Sequence, residues 1–469
     1  MAALQGLKGR EMIVWNDAIL KTLLVTAHFT FIIFALSLQV MFFAGLVALY
    51  RRWRAKGARR AGAQKQPAGL PYITTFLAAY DEAESLERNC ARFERVAYPK
   101  DKCELLILTE EDDVRTNEVA ARVAQKHPNV RHEIVPADYL GVDHPHNKPR
   151  ALAYGLTKLR DETEVVGVLD AEDLVGTEML SKVAEGMAQA DIVQGRLAIK
   201  NSKENLLSYW CGAEYALLEL LQTGRDLLGW MKIPRGTTYF VRKELVREIG
   251  WSTRNVTEDL AFNVRVFAQG HKAVLIETTT WEESPVDVDV WIKQRTRWFQ
   301  GALQTVKERI DLSRLGPMEK FSVYQLVYHI LLVPLVGAIV LPFILLDTIG
   351  AEFINFREPL ADSHAFLWLW LVNSAILGVV CIEFATATAL RYWGHRDLMH
   401  RLGACVFLPA MFMFLLPLPA VRACWREYRG LVTWEKTHHR GETEAPEMFE
   451  APAMPAARKA VSPVTTVGR

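Results

Sequence analysis

The chain has 469 residues, 50% of them hydrophobic and 23% charged, with 55 Lys and Arg against 54 Asp and Glu. That composition excludes a disordered or collagen-like chain and is too charged for a protein made of membrane spans alone. A net charge of +1 and a mean hydropathy of +0.05 show no basic bias toward nucleic acid and fit a polar domain joined to apolar segments.

An N-terminal segment, 1–21, precedes a 29-residue run, Thr22–Tyr50, with no Asp, Glu, Lys or Arg. About 20 residues suffice to cross the hydrocarbon core, so this run predicts a transmembrane helix. Six of the next ten residues, Arg51–Arg60, are basic, and the basic linker 51–69 should stay on the cytoplasmic side.

Residues 70–300 contain no span and alternate two patterns. Tyr72–Leu77, Glu104–Leu108, Val130–Val135, Val165–Leu169 and Asp191–Gln194 read as strands. Glu82–Val96, Thr116–His127 and Pro149–Leu159 read as helices between them. The alternation predicts an α/β domain with a parallel sheet and helices on both faces, whose ligands bind beyond the carboxyl ends of the strands.

Further on, Gly301–Ile310 predicts an interfacial helix within 301–320. The apolar runs Phe321–Leu346 and 363–390 read as spans, separated by a net acidic stretch. Leu402–Val421 is long enough to cross, but Pro409, Pro417 and Pro419 interrupt it and a basic segment, 422–441, follows. It either crosses or re-enters. The Pro- and Ala-rich tail 442–469 reads as disordered. These patterns describe an integral, multi-pass plasma (inner) membrane protein with its polar domain in the cytoplasm.

Carboxylates cluster just past the predicted strands: Asp81-Glu82, Glu110-Glu111-Asp112-Asp113, Asp170-Ala171-Glu172-Asp173, then Thr257-Glu258-Asp259 and Glu282-Glu283. Some of these cap helices. At successive strand ends they also repel one another unless a hard cation joins them, and Mg2+ or Mn2+ held by such oxygens carries substrate phosphates. There is no GxxxxGK[ST] loop, no GxGxxG after a strand and no HExxH. His144 and His146 read as a solvated loop. The six cysteines are scattered, without a Cys-x-x-Cys pair, which argues against a disulfide scaffold or a structural zinc site.

The ordered segments Ala79-Tyr-Asp-Glu82, Leu108–Asp113, Asn147-Lys-Pro-Arg-Ala-Leu152, Leu169–Asp173, Asn255-Val-Thr-Glu-Asp259 and Gln294-Arg-Thr-Arg-Trp298 resemble the D, TED and QxxRW series of the family 2 glycosyltransferases of the cellulose synthase and hyaluronan synthase type. Trp434–His439 resembles a segment that follows the last hydrophobic stretch in bacterial relatives. The resemblance implies a GT-A-type nucleotide-sugar domain inserted between transmembrane helices. It implies that Tyr80 packs on a uracil ring with Glu82 near the ribose. Glu110 or Glu111, or Thr109 in another alignment, would meet the base edge, and Lys148 the diphosphate. Asp170 and Glu172 fill the DxD positions for Mg2+ or Mn2+, Asp259 resembles the general base, and Gln294, Arg297 and Trp298 resemble the motif holding the acceptor sugar and leaving diphosphate.

Three features depart from the family pattern: Asp81-Glu82 where Asn-Glu is common, DxE in place of DxD, and Pro234–Tyr239 where relatives carry a Gly-rich acceptor segment. The implied activity is inverting, metal-dependent hexosyl transfer from a UDP-sugar to a growing β-linked polysaccharide coupled to export, with a homo-oligomer or an accessory export subunit completing the channel. The alternative is single addition to a lipid, ceramide-like or polyprenyl phosphate.

Overall fold

The computed structural model describes residues 32–55, 69–141, 145–232, 235–332, 334–335 and 415–431, with 22, 26, 29, 372 and 388 placed singly. Its helices are α1 (Ile32–Ala55), α2 (Ala83–Phe93), α3 (Val114–Lys126), α4 (Lys148–Thr157), α5 (Met179–Met187), α6 (Leu206–Leu227), α7 (Lys243–Ile249), α8 (Glu258–Ala268), α9 (Val288–Lys307), α10 (Pro317–Val327) and α11 (Pro417–Tyr428). The strands are β1 (Ile73–Ala79), β2 (Cys103–Glu110), β3 (Val130–Val135), β4 (Val165–Asp170), β5 (Leu174–Val175), β6 (Ile192–Ile199), β7 (Tyr239–Arg242) and β8 (Ala273–Glu282). They form one sheet in the order β3-β2-β1-β4-β7-β6-β8-β5.

The predicted strands and helices are present, their ends shifted by a few residues. The pleat sends alternate residues to opposite faces. Ile73, Leu77, Leu105 and Ile107 pack with Leu86, Phe93 and Val123 on one side. Phe76, Leu106, Leu108 and Val168 pack with Leu152, Trp251 and Phe262 on the other. Both faces are covered, which is why β2 is buried along its whole length.

The expectation of a parallel sheet holds for only part of it. β1 runs parallel to β2 and β4, and β2 to β3, but β7 is antiparallel to both β4 and β6, and β5 is antiparallel to β8. The sheet is therefore mixed. After β6 the chain forms α6 and returns through the loop before Tyr239, running opposite to β4 and β6 instead of crossing over to start a parallel strand.

Among the described residues α1 is the one helix long and apolar enough to cross a membrane, its most apolar 18 residues having a mean hydropathy of 2.4. One face, through Phe34, Leu38, Met41 and Phe42, packs on Leu217, Leu220 and Leu221 of α6 and on Trp230 and Trp291. The other leaves Ile33, Leu36, Val40, Phe43, Val47 and Tyr50 exposed at helical spacing, 44% to 58% each.

The predicted segments 1–21, 363–390 and 442–469 lie outside the described residues, apart from residues 372 and 388, as do most of the linker 51–69 and most of 402–421. The predicted helix starting at Gly301 is not separate: residues 301–307 are the last turns of α9, because no proline or turn signal interrupts Val288–Lys307. α10 starts at Pro317, ahead of the predicted span at Phe321, and α11 runs across the expected boundary at 421/422.

Candidate functional site

A cavity of about 600 Å³ opens at the carboxyl ends of β1, β2 and β4. Tyr80, Glu82, Glu110, Lys148, Asp170, Glu172, Asp259, Gln294, Arg297 and Trp298 all line it. Of the residues expected at the site, Glu111 and the alternative Thr109 are not on its wall; the Glu111 carboxylate accepts instead from the Ala137 N–H at 2.8 Å.

At one end stands Tyr80, half-exposed, its hydroxyl donating to Asp112 at 3.5 Å. Asp81 has a φ of 53°, and its N–H donates to Asp113. Asp113 is also the cap of α3, accepting from Thr116 N at 3.1 Å, so part of this acidic cluster is indeed helix-capping. Glu110 is buried and paired with Arg150, while its Oε1 has no hydrogen-bond partner. Burial pushes the Glu110 carboxyl up, against the pull of Arg150. Thr109 is turned away, bonded to Asn117 and His132. His146 is exposed in the loop before α4, as the sequence suggests, and also lines the cavity mouth with Nδ1 3.9 Å from Glu110; His144 is outside the described residues.

Lys148 opens α4, whose cap is Asn147, accepting from Arg150 N at 3.0 Å. Its ammonium donates to Asp170 and, at 2.7 Å, to the Gly236 carbonyl. Burial favours its neutral form, but Asp170 and Glu258 outweigh that and hold the ammonium above the ordinary lysine value. A Cβ built on Gly236 would lie 3.7 Å from Asp259 Oδ2 and 3.9 Å from Lys148 Nζ, so this glycine keeps the space between base candidate and cation open. Asp173 is buried behind the site, where it accepts from the Asp170 N–H at 2.8 Å and from Thr237 and fixes the turn after β4.

Burial raises the carboxyls of Asp170 and Asp259 above their ordinary range, with Lys148 opposing in both cases. It raises Glu258 to about 7. Burial, with Asp170 and Glu172 nearby, raises Glu282 to about 8. Three or more His, Cys, Asp or Glu side chains do not converge on one point among the described residues. Asp170 and Glu172 nonetheless offer hard oxygen donors on the cavity wall, and a small divalent cation is commonly held by one or two carboxylates plus substrate phosphates and water. The residues fit such an ion.

α8 begins at Glu258, placing both acidic residues of Thr257-Glu258-Asp259 in its first turn, where the helix dipole favours negative charge. On α9, Gln294, Arg297 and Trp298 fall at i, i+3 and i+4 and share one face. Between them, buried Arg295 pairs with Glu214 at 2.6 Å and stacks its guanidinium 4.0 Å from the Trp298 ring centroid and 5.4 Å from that of Trp291. Arg235 pairs with Glu219 at 2.7 Å. The same wall also carries apolar residues: Leu218, Leu260, Leu326, Ile330, Pro334 and Leu416.

Sequence reasoning missed Arg295, Arg235, Glu214 and Tyr215. α6, which carries Glu214 and Tyr215, has no motif to mark it. The available signal for Arg295 was its place inside Gln294–Trp298. Glu258 and Glu282 stand in the sequence as carboxylates to which the resemblance gives no role. Pro234 and Trp434–His439 lie outside the described residues.

The model of the family described as "Glycosyl transferase family group 2" matches residues 165–420, more than half of the chain. A probable glycosyltransferase, YdaM, of Bacillus subtilis is 25% identical over 240 residues, covering 50% of this chain and 55% of its own. The β-monoglucosyldiacylglycerol synthase of Synechocystis is 24% identical over 381 residues, covering 80% and 76%. The chain thus spans little more than half the length of the first of these relatives. The structure of a Pyrobaculum calidifontis mannosyltransferase in complex with GDP-Man and Mn2+ aligns with a TM-score of 0.49 at 18% identity, covering 84% of this chain and 99% of that one. With its family model matched from β4 to the first residues of α11, the segment that carries the aspartate, TED and QxxRW motifs, this chain belongs to the family 2 glycosyltransferases.

Proposed function

We propose that this protein is a membrane-bound, inverting hexosyltransferase that moves one sugar from a UDP-sugar to a lipid acceptor at the cytoplasmic surface of the bilayer. The supporting observation is that one cavity is lined both by Lys148, Asp170 and Asp259 and by the aliphatic Leu218, Leu326, Ile330, Pro334 and Leu416. An acyl chain matches an aliphatic wall, whereas a hydrated glucan chain does not. The exposed apolar face of α1 supports attachment to lipid.

In this reading Tyr80 stacks on the base and Glu110 meets its edge. Displacing the diphosphate from the anomeric carbon builds negative charge on the leaving phosphates, which Lys148 and Arg297 offset. Asp170 and Glu172 would hold Mg2+ or Mn2+, whose charge adds to that compensation. Asp259 accepts the proton of the acceptor hydroxyl as the hydroxyl oxygen attacks, and Trp298 presents an apolar ring to the sugar's C–H face. Attack opposite the leaving group inverts the anomeric centre, so an α-linked donor yields a β-glycoside.

Transfer to a growing polysaccharide is the second reading, favoured by the stacked Trp298 at the acceptor side of the site. Labelled UDP-sugars, incubated with purified protein, membrane lipid extract and Mg2+ or Mn2+, separate the two. A single chloroform-soluble product supports the lipid reading, and a ladder of water-soluble products overturns it.

A further inference from the structure

Gln304 lies on α9 beyond the Gln294–Trp298 motif, does not line the cavity and belongs to no motif. Its side-chain amide bridges two distant parts of the chain. Oε1 accepts from the Val256 N–H at 2.9 Å, and Nε2 donates to Glu427 Oε2 at 3.1 Å. Partner chemistry dictates that orientation: a backbone N–H can only donate and a carboxylate only accept. Glu427, on α11, also accepts from Gln300 Nε2 at 3.3 Å and Lys307 Nζ at 2.7 Å, so three residues of one α9 face converge on one carboxylate. The partner on the other side, Val256, stands three residues before Asp259, in the segment that enters α8. Its neighbour Asn255 donates to Thr305 Oγ1 at 3.1 Å, again on α9.

We infer that Gln304 is a positioning residue for Asp259. With Glu427 holding its amide in place, it fastens the backbone ahead of the base to the helix that carries Gln294, Arg297 and Trp298. Base and acceptor-side motif then keep one spacing, set by a hydrogen bond outside the cavity. This inference rests on the reading of Asp259 as the base. A base misplaced by about 1 Å can cost on the order of 100-fold in rate.

The test uses the purified full-length protein, membrane lipid extract and the UDP-sugar that the unmodified enzyme turns over, with thermal midpoints to certify folding. Gln304→Leu is expected to lower kcat by roughly 10- to 100-fold while donor KM stays within a factor of about two. Gln300→Ala removes one of three donors to Glu427 but leaves both Gln304 hydrogen bonds in place, and is expected to keep kcat near the unmodified value. Gln304→Glu sets two carboxylates face to face and is expected to lose kcat. Adding Glu427→Gln restores a donor between the two positions, and the double variant is expected to regain kcat. If Gln304→Leu fails to fold, this swap decides alone.

Unchanged kcat in folded Gln304→Leu, equal losses in Gln304→Leu and Gln300→Ala, or no recovery in the swap would each overturn the inference. An active Asp259→Asn overturns the base assignment and this inference with it. An inactive Asp259→Asn beside a fully active Gln304→Leu overturns this inference alone.

Discussion

The Lys148 ammonium rests on the Asp170 carboxylate while also donating to the Gly236 carbonyl, 2.7 Å away. A residue expected to meet the donor diphosphate therefore neutralises the first aspartate of Asp170-Ala-Glu172 in the protein alone. Glu258 and Asp259 face the same cation, so one ammonium ties together carboxylates from stretches far apart in sequence. Asp170 and Asp259 line one cavity.

Asp259→Asn keeps shape and removes the proposed proton acceptor. The expected result is a loss of kcat of roughly 10²- to 10⁴-fold, with UDP affinity by calorimetry near the unmodified value. Because burial raises the Asp259 carboxyl, the acid limb of the kcat profile should lie above the ordinary aspartate range. A steady-state profile across acid pH checks this.

Stability should fall as pH rises. Glu258 at about 7 and Glu282 at about 8 hold their protons more tightly folded than unfolded, where the ordinary value is 4.5. Between the unfolded and folded values the native state binds more protons, so deprotonation through neutral pH favours the unfolded chain. The ligand-free protein should melt at a lower temperature near pH 9 than near pH 6. Glu282→Gln should shrink that difference.

Arg295 is buried, charged and paired with Glu214 at 2.6 Å. Arg295→Ala strands Glu214 and is expected to cost about 3–5 kcal/mol, read from denaturant unfolding. Arg295→Lys keeps a charge but loses the planar stack on Trp298. It should fold and show a raised acceptor KM with donor KM unchanged.

Gly301 meets the segment leading to Asp259, the proposed base: a Cβ there would collide with Thr257 Oγ1 and lie 2.6 Å from its Cβ. Gly301→Ala must push Thr257, and with it Asp259, away from α9. A loss of about 1–3 kcal/mol is expected, with kcat falling more than donor KM rises. Thermal melts and steady-state kinetics of Gly301→Ala, with and without Thr257→Gly, check this, and the double variant should recover part of both losses.

The sequence by itself determined the local elements on the parallel side of the sheet and the residues at their ends. Unbroken apolar runs such as Cys103–Leu108 report burial on both faces, and the polar residues that end them mark the strand tips. Motif order was enough to name ten of the residues now found on the cavity wall. Thr109, Glu110 and Glu111 could not be told apart, because adjacent residues of a strand point opposite ways and register alone decides which faces the ligand. The antiparallel return of β7 and the Arg295–Glu214 and Gln304–Glu427 pairings were likewise decided only by tertiary structure. Those contacts join residues 81 and 123 positions apart, and no local pattern records a distance that the fold alone closes.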